Sequence, residues 1–115
     1  MTRHTGGVDI VWLRIPDLVD RMGLSPSRIR RLVEERALPA TRRDGVLVVP
    51  EVFLVDDAPM GELKGTAMLL GDLGFDDDEA VAWLLEVEPS LGTSPIEALR
   101  AGRKAEVRRV AQALG

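Results

Sequence analysis

Cysteine and tyrosine are absent from the 115 residues, and histidine occurs once, at His4. Disulfides, Cys/His zinc sites and a Cys or His nucleophile are excluded by that inventory. Aromatic side chains are scarce: Trp12, Trp83, Phe53 and Phe75 are the whole set. The core must therefore be aliphatic, with Trp12 and Trp83 expected to be buried in it. No run approaches the ~18 apolar residues of a membrane span, and MTRHTGGVDI lacks the apolar stretch of a signal peptide. The expected location is the cytoplasm, with no membrane partner.

What is present is an ordinary globular composition, 45% hydrophobic and 30% charged, in a chain long enough for one domain or two very small ones. The net charge of −4 argues, as an average, against an anionic partner. The distribution argues otherwise. Residues 1–55 carry nine Arg against seven acids, whereas residues 56–115 carry six bases against twelve acids. Seven of the arginines (21, 28, 30, 31, 36, 42 and 43) fall within 23 residues that hold only Glu34 and Glu35 as acids. A basic patch on an acidic protein reads as a binding face.

Residues 1–8 include Gly6-Gly7 and show no apolar periodicity, so they read as a flexible arm. Ile15, Leu18, Val19 and Met22 follow at i, i+3, i+4, i+7, the apolar stripe of a helix with Pro16 in its first turn and Gly23 as its stop. Ser25 is placed to cap a second helix over about 26–35, with Pro26 at its first position and Ile29, Leu32 and Val33 on its inner face. Two helices joined by so short a Gly-containing link have the form of a helix-turn-helix. Asp44-Gly45 then predicts a hairpin, because a type I′ turn needs positive φ at both central residues, and Pro50 ends its second strand. The prediction is a mainly α fold: a winged helix-turn-helix over 9–56 with a small β-hairpin wing, a polar break at 56–61, and a helical C-terminal subdomain over 62–115. Its helices are expected at 62–70, 77–87, 95–101 and 104–114, with Asp76/Glu79 and Ser94/Glu97 as capping boxes.

The second helix of such a motif lies in the major groove. Arg28 and Arg31, three residues apart, are the expected base-contacting pair, since Arg binds guanine O6 and N7 bidentately. Ser25 and Ser27 would orient the helix end on a phosphate. Arg30 and Arg36 would add phosphate attraction, and Arg42 with Arg43 at the hairpin tip would hold the flank. Asp76-Asp77-Asp78-Glu79 lacks the spacing of a calcium loop and suits a helix start. Gly71-Asp72-Leu73-Gly74 lacks the length and the Lys of a phosphate loop. No nucleophile, base and orienting group can be assembled, so no enzyme, cofactor or metal site is expected. The reading is a duplex-DNA-binding protein, a transcriptional regulator or nucleoid-associated type.

Residues 12–19 (WLRIPDLV), 24–29 (LSPSRI) and 44–54 (DGVLVVPEVFL) resemble the small actinobacterial winged helix-turn-helix DNA-binding proteins that are substrates of a membrane Ser/Thr protein kinase. The likeness continues through 63–66 (LKGT), 70–75 (LGDLGF), 79–84 (EAVAWL) and 89–91 (PSL), and covers about residues 10–115. It implies DNA binding controlled by phosphorylation of a Thr in the arm, for which this chain offers Thr2 and Thr5. Phosphate there would repel DNA. A second stretch, 91–107, is similar to the toxin-binding region of certain helix-turn-helix antitoxins. That likeness implies, as the alternative, an antitoxin-like or adaptor protein whose C-terminal helices bind a toxin-like partner. A homodimer is also expected, with the helical C-terminal half supplying its surface.

Overall fold

The computed structural model describes residues 10–114; the arm and its Thr2 and Thr5 lie outside them. Strand β1 (Trp12–Arg14) leads directly into helix α1 (Ile15–Met22), followed by α2 (Pro26–Glu34). The wing is β2 (Thr41–Arg43) and β3 (Val46–Pro50). A 3-10 turn, Glu51–Phe53, precedes a second hairpin of β4 (Leu54–Val55) and β5 (Ala58–Pro59). Helices α3 (Leu63–Asp72), α4 (Asp77–Leu85), α5 (Pro95–Arg100) and α6 (Lys104–Gln112) complete the chain.

The punctuation follows local chemistry. Gly23 closes α1 at φ 70°, its N–H bonded to the Val19 carbonyl, in the left-handed conformation that carries no Cβ penalty only in glycine. The Ser25 hydroxyl oxygen accepts the Arg28 N–H at 3.2 Å to cap α2. Asp44 and Gly45 both take positive φ (54° and 79°), and Arg43 stands opposite Val46, so the wing turns as the dipeptide requires. At α4 the expected box forms in full, with Glu79 N–H on Asp76 and Asp76 N–H on Glu79. Ser94 accepts the Glu97 N–H at 3.3 Å; the return bond from Glu97 is not among the hydrogen bonds of the described residues.

Three features depart from the expectations above. First, β1 was not predicted: it pairs antiparallel with β3 (Trp12 with Pro50, Arg14 with Val48), making a three-stranded sheet in the order β1-β3-β2. Three residues are too few to show an alternating pattern, and their partner lies more than thirty positions away. Second, the polar break is itself a hairpin, turned by Asp56 and Asp57 at φ 53° and 59°. Third, neither tryptophan is a core residue. Trp12 and Trp83 are half-buried against the core, whereas Phe53 is fully buried in it.

One contiguous cluster of buried side chains runs through both halves, from Leu13, Leu18 and Ile29 through Phe53 to Leu70, Leu84 and Val107. The C-terminal helices therefore share a core with the winged part, and α4 packs along β2, the outer strand of the sheet.

Candidate nucleic-acid interface

On α2, Ile29 is buried and Leu32 and Val33 half-buried, which fixes the inward direction. At about 100° per residue, Ser27, Arg31 and Glu34 fall opposite that direction, with Arg28 and Arg30 on either shoulder. All five are exposed. Arg31 thus stands at the crest of the helix, and Arg28 reaches around from one side of it. The Ser25 oxygen is committed to the cap, and the Ser25 and Ser27 hydroxyls share a hydrogen bond of 3.2 Å, which leaves one of their two protons to donate outward. This end of α2 therefore carries a hydroxyl donor beside cationic groups.

The wing does not present its two arginines together. Arg42 and Arg43 are adjacent on β2, and successive strand residues point to opposite faces. The Arg43 guanidinium lies over the Trp12 ring, 4.5 Å from its centroid, a cation–π contact worth about 0.5–1 kcal/mol at an exposed site. Arg42 faces the other way, into a cleft that it shares with Arg30 of α2, and Arg42 Nη1 makes a long bond to the Gly45 carbonyl at 3.4 Å. The expectation that the hairpin tip offers a matched basic pair is corrected by the pleat.

Two other arginines of the 23-residue cluster face carboxylates of the protein itself. Arg21 donates to Glu51 at 2.8 Å and to Asp57 at 2.9 Å. Those bonds, to Glu51 first and then Asp57, raise its pKa above the ordinary arginine value. Arg36, at φ 64°, turns away from the recognition helix, its Nε 4.0 Å from Asp77. Its guanidinium lies so close against Gly71 that a Cβ there would stand 2.1 Å from Nη1. Arg36 thus joins the winged part to α3 and α4; the phosphate role expected for it is not the one its geometry favours, because α4 brings carboxylates to it.

Among the described residues, no ion pair engages Arg28, Arg30, Arg31 or Arg42, and in particular Arg31 does not pair with Glu34 or Glu35. Reading the residues alone overlooked Arg14, which lies outside the cluster. It is the last residue of β1 and the cap position of α1, exposed, its N–H on the Asp17 carboxylate at 2.8 Å. The signal that could have found it is its place directly before Ile15-Pro16, where a helix had to begin. Beside α4 a second cleft, of ≈ 420 Å³, is lined by Asp76, Asp77 and Asp78 together with Arg42 and Leu47, which also line the cleft on the α2 side, and the Thr41 hydroxyl donates to Asp78. A polyanion is therefore repelled from the α4 side and attracted to the α2 side. Among the described residues, no three His, Cys, Asp or Glu side chains come together as a metal site, and no helix is long and apolar enough to cross a membrane.

Two family models match the chain: "DNA-binding protein Rv2175c, wHTH domain" over residues 7–54 and "Rv2175c C-terminal domain of unknown function" over residues 60–115. A curated relative, "DNA-binding protein Rv2175c" of Mycobacterium tuberculosis, is 31% identical over 87% of this chain and 77% of its own length. The fold is similar to the NMR structure of Rv2175c, with a TM-score of 0.83 at 30% identity, covering 92% of this chain and 82% of that one. Likeness in sequence and in fold over both halves places the chain in the Rv2175c family of winged helix-turn-helix proteins.

Proposed function

We propose that this protein binds duplex DNA, with α2 in the major groove and the wing alongside, and acts as a transcriptional regulator or nucleoid-associated protein. The observation that carries the reading is the sorting of its arginines. Within the 21–43 cluster, those of α2 and Arg42 of the wing are exposed without ion pairs among the described residues, while Arg21 and Arg36 each face a carboxylate. Unpaired cations gathered on one side of an anionic protein are disfavoured by mutual repulsion unless an anion joins them. In this reading Arg31 and Arg28 approach base edges, Ser25 and Ser27 meet a phosphate, and Arg30 and Arg42 hold the backbone. Arg43, held over the Trp12 ring, would meet the backbone through the N–H edge of its guanidinium. The family relative described as a DNA-binding protein supports the same reading. A second copy belongs to the proposal, since a single winged module gathers few contacts, and two would read half-sites about one helical turn apart.

The toxin-binding alternative has less behind it. In the stretch that suggested it, Leu91, Ile96, Ala98, Leu99 and Val107 are buried in this chain's own core, which leaves them unavailable to a partner.

The test is fluorescence anisotropy with a labelled duplex. Arg28→Ala with Arg31→Ala should keep the wild-type melting behaviour, because both side chains are exposed, and should weaken binding at least tenfold, on the order expected for losing one or two arginine contacts to bases. Unchanged affinity would remove α2 from the interface.

A further inference from the structure

At the open end of the sheet lies a cleft of ≈ 440 Å³ whose charged lining is entirely guanidinium: Arg14 from the β1–α1 junction, Arg30 from α2 and Arg42 from the wing. The cleft exists because β1 stops at Arg14, opposite Val48, while β3 runs on past it to Leu47 and Val46 with β2 on its other side. Ile15, Pro16 and Leu47 contribute apolar surface between the arginines. Two other sizeable clefts differ in kind. That beside α4, which shares Arg42 and Leu47 with this one, brings in three aspartates, and that between Arg21 and Arg100 brings in Glu51 and Glu97.

We propose that this three-arginine cleft seats one backbone phosphodiester of duplex DNA, with Arg14 as a contact residue assigned here. The inference rests on the reading that the chain binds duplex DNA, and it specifies where one strand of the backbone is gripped. Three elements of the fold that are distant in sequence bring their cations to one opening. A single phosphodiester offers two unesterified oxygens, enough for a planar guanidinium to bind in fork fashion while its neighbours add charge. The apolar walls suit the flanking deoxyribose, which carries no charge. Because Arg30 also belongs to α2, a phosphate held here fixes the depth and register at which Arg28 and Arg31 meet the groove, in the way that backbone contacts position and base contacts specify.

The experiment uses the full chain and a labelled duplex, with the affinity measured across a salt series for wild type, Arg14→Ala, Arg14→Lys, Arg42→Ala and the Arg14→Ala/Arg42→Ala double variant. Arg14→Ala removes an exposed side chain and leaves the backbone N–H bond to Asp17 in place, so its fold should persist, as a thermal melt will check. It should bind about three- to tenfold more weakly on duplexes of any sequence, and Arg14→Lys, which keeps the charge but not the fork, should recover part of that loss. If Arg14 and Arg42 share one phosphate with Arg30, the double variant loses less than the product of the two single losses, and its log–log salt slope falls by no more than about 0.9, one phosphate's worth. Wild-type affinity in Arg14→Ala overturns the inference and leaves the DNA-binding reading intact. Multiplying losses with a slope change of about two phosphates' worth also overturn it, because each arginine would then meet its own phosphate. A wild-type protein that does not bind duplex at all overturns both.

Discussion

Salt is the perturbation that separates the arginines facing DNA from those merely near them in sequence. Five guanidinium groups, of Arg14, Arg28, Arg30, Arg31 and Arg42, lie on the α2 side of the winged part without ion pairs among the described residues. The three that line one cleft count as one phosphate and Arg28 and Arg31 as one each, so at about 0.9 counterions released per phosphate affinity falls by roughly 40-fold between 50 and 200 mM monovalent salt. Counting all seven arginines between residues 21 and 43 would give a fall of roughly 6,000-fold, and the Arg28/Arg31 pair alone about twelvefold. The assay is anisotropy of a labelled duplex over that salt range at constant temperature. Arg21→Ala supplies the internal control. Its guanidinium is bonded to Glu51 and Asp57, so the variant should keep the wild-type slope to within about half a unit while losing some stability. A fall of under about twentyfold in the wild type, or a slope that drops by a full phosphate's worth in Arg21→Ala, would refute the assignment of paired and unpaired arginines.

Three other outcomes are expected. Phe53 is fully buried at the centre of the shared core, so Phe53→Ala should cost about 3–5 kcal/mol in urea unfolding; a loss under about 1 kcal/mol would mean that the two halves do not depend on one core. Glu106 binds Arg103 through both carboxylate oxygens, at 2.8 and 3.0 Å, and the hydrogen bond to Arg103 lowers its pKa from the ordinary 4.5. A depressed carboxyl stabilises the fold above its unfolded value and loses that contribution as pH falls below about 4.5 and through the folded pKa. Glu106→Gln should therefore flatten stability against pH in that acid range, and an acid limb identical to wild type counts against the pair. Arg43→Ala uncovers the Trp12 ring; it should shift or intensify tryptophan emission and cost about 0.5–1 kcal/mol, and an unaltered spectrum would mean that the stack does not persist in solution.

The arrangement also accounts for how an anionic protein can approach a polyanion. The acidic first turn of α4 stands beside β2, whose Arg42 lines both the acidic cleft there and the three-arginine cleft next to the recognition helix. Repulsion on one side and attraction on the other orient the molecule before contact. The helix start that carries Asp76, Asp77 and Asp78 thus serves two purposes, capping α4 and keeping phosphate away from it.

The sequence by itself determined the starts, stops and turns: Gly23 after α1, Ser25-Pro26 before α2, Asp44-Gly45 in the wing and Asp76 with Glu79 at α4. Each depends on hydrogen bonds or backbone angles within about four residues, so a short window contains all the physics. Helical periodicity likewise identified Ile29, Leu32 and Val33 as the inner face of α2. Only the tertiary structure decided which arginines face a carboxylate. Arg21 finds its carboxylates 30 and 36 residues away, Arg36 finds Asp77 on a helix of the other half, and the strand pleat parts Arg42 from Arg43. Arg14 became part of a cleft only because β1 pairs with β3 and ends where it does. A cation is available to a ligand or cancelled by a carboxylate according to through-space distances of a few ångströms, and those are created by packing between segments that the linear order keeps far apart.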